Sequence, residues 1–191
     1  MTKKNRGWLI VVYAIVALII VATIVSCIVK VNKKPDIQEP HAYAISIENQ
    51  ANYNLCDKDT DKEKYDEINK VFLSSFEENL LTSLFSGRLF YNSRIDSLKP
   101  STFSGYKLKL IYAQDQTIKL NGKAYNPPTN SSETITYREI LIDVQENQGY
   151  TTHYIYYPYE YTDTNSIVKT GYYRQTIMAN FDELYKALAE F

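Results

Sequence analysis

The residues best suited to recognition chemistry lie in one run, Tyr150-Thr151-Thr152-His153-Tyr154-Ile155-Tyr156-Tyr157-Pro158-Tyr159-Glu160-Tyr161. Read as a strand, it places Tyr150, Thr152, Tyr154 and Tyr156 on one face and His153, Ile155 and Tyr157 on the other. A tyrosine combines an apolar ring with a polar tip, which suits protein surfaces and sugar rings. Tyr150, Tyr154, Tyr156, Tyr157 and Tyr159 are therefore the candidate binding residues, with a protein or a glycan as the class of partner. The competing use is ordinary cross-strand packing. Pro158 marks an edge strand or a bulge, because it has no N–H to give to a ladder. An edge of that kind can take a partner strand.

Catalytic and metal chemistry find less support. Asp57, Asp59 and Asp61 alternate as in a calcium loop, but the sixth position is Lys62 instead of glycine and the twelfth is Ile68 instead of glutamate. Lys58, Lys62 and Lys64 neutralise the cluster, and Thr60 with Glu63 reads as a capping box at a helix start. His41 and His153 stand far apart in ligand-free contexts. Glu77-Glu78 and Asp182-Glu183 are helix neighbours pointing in different directions. There is no G-x-S-x-G, HExxH, CxxC, P-loop or G-x-G-x-x-G. The expectation is a non-enzyme with no cofactor and no metal.

Cys27 offers the other reactive group. Ile24-Val25-Ser26-Cys27 resembles the lipobox of bacterial lipoproteins, in which a small residue precedes a cysteine that becomes lipidated. The resemblance implies a ligand- or glycan-binding lipoprotein anchored at Cys27. Against it, the apolar run is long for a signal peptide and continues through Ile28 and Val29. The favoured reading makes Cys27 a small apolar residue within an uncleaved membrane helix.

That helix positions everything else. Trp8 to Val29 contains no charged residue and is broken only by Thr23 and Ser26, long enough at ~1.5 Å per residue to cross a hydrocarbon core of ~30 Å. Residues 1–7 read as a basic tail, 8–31 as a transmembrane helix in contact with lipid, 32–59 as a spacer with a strand at 41–48, and 60–191 as a soluble domain. Of the 21 basic residues, six (Lys3, Lys4, Arg6, Lys30, Lys33, Lys34) lie in the first 34 positions, where none of the 22 acidic ones falls. The remainder carries 15 − 22 = −7, which disfavours nucleic acid. The flanking charges nearly balance; the short tail favours an N-terminus inside and a domain outside the cytoplasm. Abundant Lys, Asn, Ile and Tyr suggest an AT-rich bacterial genome.

Within the domain, Tyr65, Ile68, Phe72, Phe76, Leu80 and Leu84 fall at helical spacing, predicting one long helix from Asp61 to a stop at Gly87. The period then drops to two. Strands are expected at 88–95, 106–113, 117–125 (with an Asn121-Gly122 hairpin turn), 133–146 (bulged between Tyr137 and Ile140), 150–161 and 167–179. Asn180 and Glu183 open a final helix. The fold class is α+β, with a long helix on an antiparallel sheet and a short C-terminal helix. This layout resembles the cystatin-like and NTF2-like folds, including the extracytoplasmic domains of conjugation proteins carried behind one N-terminal helix. The membrane anchor, the compact motif-free domain and the aromatic strand together lead to the expectation of a non-catalytic interaction domain outside the cytoplasm, in an envelope or secretion-type assembly.

Overall fold

The computed structural model describes residues 3–47, 52–86, 95–97, 105–119, 134–146, 148–162 and 165–191. The chain divides into two compact units, Met1–Lys33 with Glu77–Tyr91, and Lys34–Phe76 with Asn92–Phe191.

The first unit begins with α1 (Lys3–Ile28). Its Gly7–Val25 stretch is long and apolar enough to cross a membrane, and none of it is buried by protein. Thr23 satisfies its hydroxyl by donating to the Ile19 carbonyl at 2.7 Å. The helix stops before the end of the expected span. Lys30 and Val31 belong instead to β1 (Lys30–Asn32), which pairs antiparallel with β4 (Glu77–Asn79). Lys30 meets Glu77 at 3.2 Å and Lys33 meets Glu78 at 2.9 Å. The second pair is nearly dry, its side chains 11% and 4% exposed, so each charge depends on the other for compensation. A short helix, α3 (Leu80–Phe85), follows, capped by the Asn79 side chain accepting from the Leu81 N–H at 2.9 Å.

The predicted long helix is thus broken. α2 covers only Lys62–Ser74, and the chain leaves it at Ser75-Phe76. The Ser74 and Ser75 hydroxyls both donate to the Val71 carbonyl at 2.9 Å, a local competition that loosens a helix end. The Ser75 carbonyl accepts from the Asn180 N–H at 2.8 Å and so needs no continuing helix. The apolar stripe divides at the break: Tyr65, Ile68, Phe72 and Phe76 are buried, whereas Leu84 is exposed. Of the two expected caps, Thr60 makes no cap bond and Asn180 makes one. The α2 N-cap is Asp61 and makes no side-chain cap bond; Thr60 Oγ1 instead donates to Asp61 Oδ2 at 3.1 Å. In α4 (Asp182–Ala189) the cap position falls to Phe181, although Asn180 Oδ1 still accepts from the Asp182 N–H at 3.0 Å.

The second unit is built on an antiparallel sheet of seven strands. They are β2 (Ala42–Ile47), β3 (Asn54–Asp57), β5 (Ile95–Ser97), β6 (Tyr106–Lys119), β7 (Thr134–Val144), β8 (Tyr150–Thr162) and β9 (Val168–Asn180). Their order is β3-β2-β6-β7-β8-β9-β5. Two strands therefore come from the segment read as a spacer, and β2 is an inner strand. β6 runs as one strand where two were expected. The register of β6 on β7 shifts between Ile111 and Gln116, opposite Tyr137–Glu139, which is where the sequence phase slips. The Asn121-Gly122 turn lies outside the described residues.

Register explains the core. Ile45, Leu108, Ile142, Ile155 and Gln175 form one row across five strands. Aromatic rings stack over the sheet in a chain: Tyr65 on Tyr43 (5.3 Å), Tyr43 on Phe72 (6.2 Å), Phe72 on Phe76 (5.2 Å) and Phe76 on Phe181 (6.1 Å). Tyr65 donates to the Pro40 carbonyl and Tyr43 to Asn69 Oδ1, so these two buried phenols keep partners, whereas the Tyr112 hydroxyl is buried without one. Gly105 is required by close approach, since a Cβ there would sit 2.1 Å from the Val144 carbonyl oxygen.

Two outcomes follow. Phe72→Ala, at 1% exposure, should cost about 3–5 kcal/mol in denaturant unfolding of the full chain, while Glu67→Ala on the exposed side of α2 should change little. Cys56 is fully buried, and burial, followed by the nearby Asp61 charge, raises its thiol pKa. In a Cys27→Ser chain, Cys56 should therefore resist maleimide until the domain is unfolded.

Candidate functional site

The tyrosine run forms β8, and its alternation is as expected. His153, Ile155 and Tyr157 turn into the core, while Tyr154 and Tyr156 take the opposite face. This splits the candidate set. Tyr157 is fully buried, its hydroxyl bonded to Gln175 Oε1, and burial raises its pKa; it is a core residue with no surface to offer. Tyr156 is nearly buried as well. Tyr150 is half-buried and donates to the Phe76 carbonyl at 3.4 Å. The Tyr159 and Cys27 side chains lie outside the described residues. Of the four whose side chains are described, Tyr154 alone is exposed, at 36%, with the Arg174 guanidinium 4.3 Å from its ring centroid. On the same sheet face Lys107 and Lys109 lie 5.2 and 5.0 Å from the Tyr53 ring, and Lys109 pairs with Glu139 at 3.0 Å.

A different feature among the described residues forms a concave site. Among the described residues, β7 and β8 pair only at Leu141–Tyr156 and Ile142–Ile155. Beyond that point residues 134–139 pair with β6, and residues 157–162 pair with β9. Extending the register sets Glu139 opposite Pro158, which has no N–H to continue the ladder. The two ribbons diverge there, around a cavity of about 410 Å³ lined by Asp115, Thr136, Arg138, Glu139, Pro158 and Glu160. The Tyr137 ring closes its inner side, 4.9 Å from the Tyr157 ring. Arg138 Nε bonds Asp115 Oδ1. With three carboxylates to one guanidinium, the described lining is acidic, polar and open. Its charge suits a polar or cationic group.

The aspartates read as a broken calcium loop separate. Asp61 starts α2, while Asp57 and Asp59 turn towards His41. His41 Nε2 lies 3.1 Å from Asp57 Oδ2, and Asp57 Oδ1 accepts from the Asp59 N–H at 2.8 Å. Ligand atoms of His41, Asp57 and Asp59 fall within 4.8 Å of one another. The His41 N–H donates to the Ile111 carbonyl and its carbonyl accepts from the Lys58 N–H, so this corner ties β2, β3 and β6 together.

His153 is the buried titratable group that sequence reasoning left in solvent-neutral terms. It lies 4.5 Å from the Phe181 ring and is bonded to the Ala179 backbone. Its alternation with Ile155 and Tyr157 was the available signal. No protein-family model, curated protein or solved structure matches this chain.

Burial lowers the His153 pKa, opposed more weakly by the Ala179 bond and the Asp182 charge. The unfolded chain then takes up a proton below its ordinary value of about 6.5 while the folded chain does not. Stability should fall as pH drops through about 6.5 towards the lowered folded value, and His153→Leu should flatten that part of the pH profile in urea unfolding.

Proposed function

We propose that this chain is a single-pass membrane protein whose α1 spans the bilayer and whose α+β domain is a non-catalytic interaction module outside the cytoplasm. The observation that carries the reading is the cavity between the diverging β6–β7 and β8–β9 ribbons, combined with an apolar α1 that no protein core covers. At the cavity two strand edges lose each other as partners, the kind of backbone that an added strand can engage. The acidic lining favours a partner segment carrying lysine or arginine. The cystatin-like or NTF2-like layout belongs to this proposal, as does membership of an envelope or secretion-type assembly. The short basic tail supports an N-terminus inside.

The test is site-specific photo-crosslinking in native membranes, with the cross-linker at Thr136 or Glu160 beside the cavity and at Glu67 on α2 as reference. A discrete adduct from both cavity positions, absent at Glu67 and reduced several-fold by Asp115→Lys, is expected. No adduct at either cavity position, from a domain that also stays monomeric when purified, would sink the interaction reading.

A further inference from the structure

Within the first unit, β4 runs antiparallel to β1, so it travels back towards the end of α1. Its last residue, Asn79, is the register partner of Lys30, two positions beyond the last residue of α1, Ile28. Antiparallel partners lie about 4.5–5.5 Å apart. α3 therefore starts beside the end of the apolar helix, and it packs against both α1 and β1.

The residues placed there are Leu80-Leu81-Thr82-Ser83-Leu84-Phe85, with no charge among them. Ser83 is fully buried, while Leu84 is 50% and Phe85 84% exposed. Exposed apolar side chains on the outer side of a capped helix need a cover. α3 lies against α1, where Val25 is also exposed, as is Val29 just past the helix end. The acids that enter with β4 are matched: Glu77 by Lys30 and Glu78 by Lys33. Their approach to a headgroup layer is thereby not opposed by net negative charge. Lys33 is held in a nearly dry pair.

We infer that α3 is a second membrane contact, an interfacial helix that lays Leu84 and Phe85 into the headgroup–acyl boundary beside the end of α1. This rests on the reading that α1 spans the bilayer. The occupant of the exposed α3 surface is lipid, because α3 has no charged face for a polar partner and lies against the apolar α1. Helices at this boundary lie in the interface plane with their apolar side buried by about 5–10 Å. The first unit then meets the membrane at two places in the chain, α1 and residues 80–85.

Tryptophan fluorescence in liposomes tests this on the full chain. Trp8 is the only tryptophan, so the parent protein reads the anchor, and Phe85→Trp in a Trp8→Phe background reads α3. The exposed site tolerates the exchange, and Leu84→Trp in the same background gives an independent reading. The expected result is blue-shifted emission from Phe85→Trp, quenched several-fold more by lipids brominated high in the acyl chain than by lipids brominated near its end. Red-shifted, unquenched emission at both α3 positions, with Trp8 of the parent quenched, would overturn the α3 contact and leave the anchor standing. Blue-shifted emission that brominated lipids do not quench would overturn it in favour of a protein cover. If Trp8 is itself unquenched, the spanning reading falls and the inference falls with it.

Discussion

The domain depends on the chain of aromatic contacts that runs from Tyr65 through Tyr43, Phe72 and Phe76 to Phe181. These rings link α2, the inner strand β2 and the start of α4, and their edge-to-face geometry adds orientation to simple burial. Phe76 occupies the decisive place. It is the last buried ring before the chain leaves the domain core, and the Ser75 carbonyl beside it is taken by the Asn180 N–H. A continuous helix would carry Phe76 onward along its own axis and lose both contacts. Packing and one backbone bond therefore outweigh the helical periodicity that continues through Leu80 and Leu84.

The same break has a consequence for function. Because α2 ends at Ser74, the next residues are free to pair with β1 and to return to the neighbourhood of the apolar helix. Lys30 and Lys33, which look like headgroup ligands in a list of charges, become partners of Glu77 and Glu78. In a dry setting such as that of Lys33 and Glu78, a lone charge is costly, so each residue makes the other tolerable. The anchor is thus structurally continuous with a small folded unit of its own.

In the seven-stranded sheet another regularity is interrupted. The β7–β8 ladder stops at Tyr156 and Ile155, where Pro158 removes a donor and the β6–β7 register shifts. Binding clefts gather at bulges and strand ends because backbone groups there are not consumed by the fold. The tyrosines that drew attention in the sequence are divided by the same strand. Tyr157 becomes core and Tyr154 surface, since a pleat sends successive residues to opposite sides.

Several features were legible from residues alone, because they depend on local or periodic physics. The apolar run of α1, the two-residue period of β8 and β9, the alternation that buries His153, Ile155 and Tyr157, and the α+β class all follow from such patterns. The phase slip near Tyr137 also marked the register shift. Other features depended on partners distant in sequence. The cut between α2 and β4 needed Asn180; the strand character of Asn54–Asp57 needed β2; the meeting of His41 with Asp57 and Asp59 needed the β2–β3 pairing. The cavity beside Pro158 required two hairpins to diverge. Periodicity reports which face a residue prefers, whereas only the assembled chain decides what that face meets.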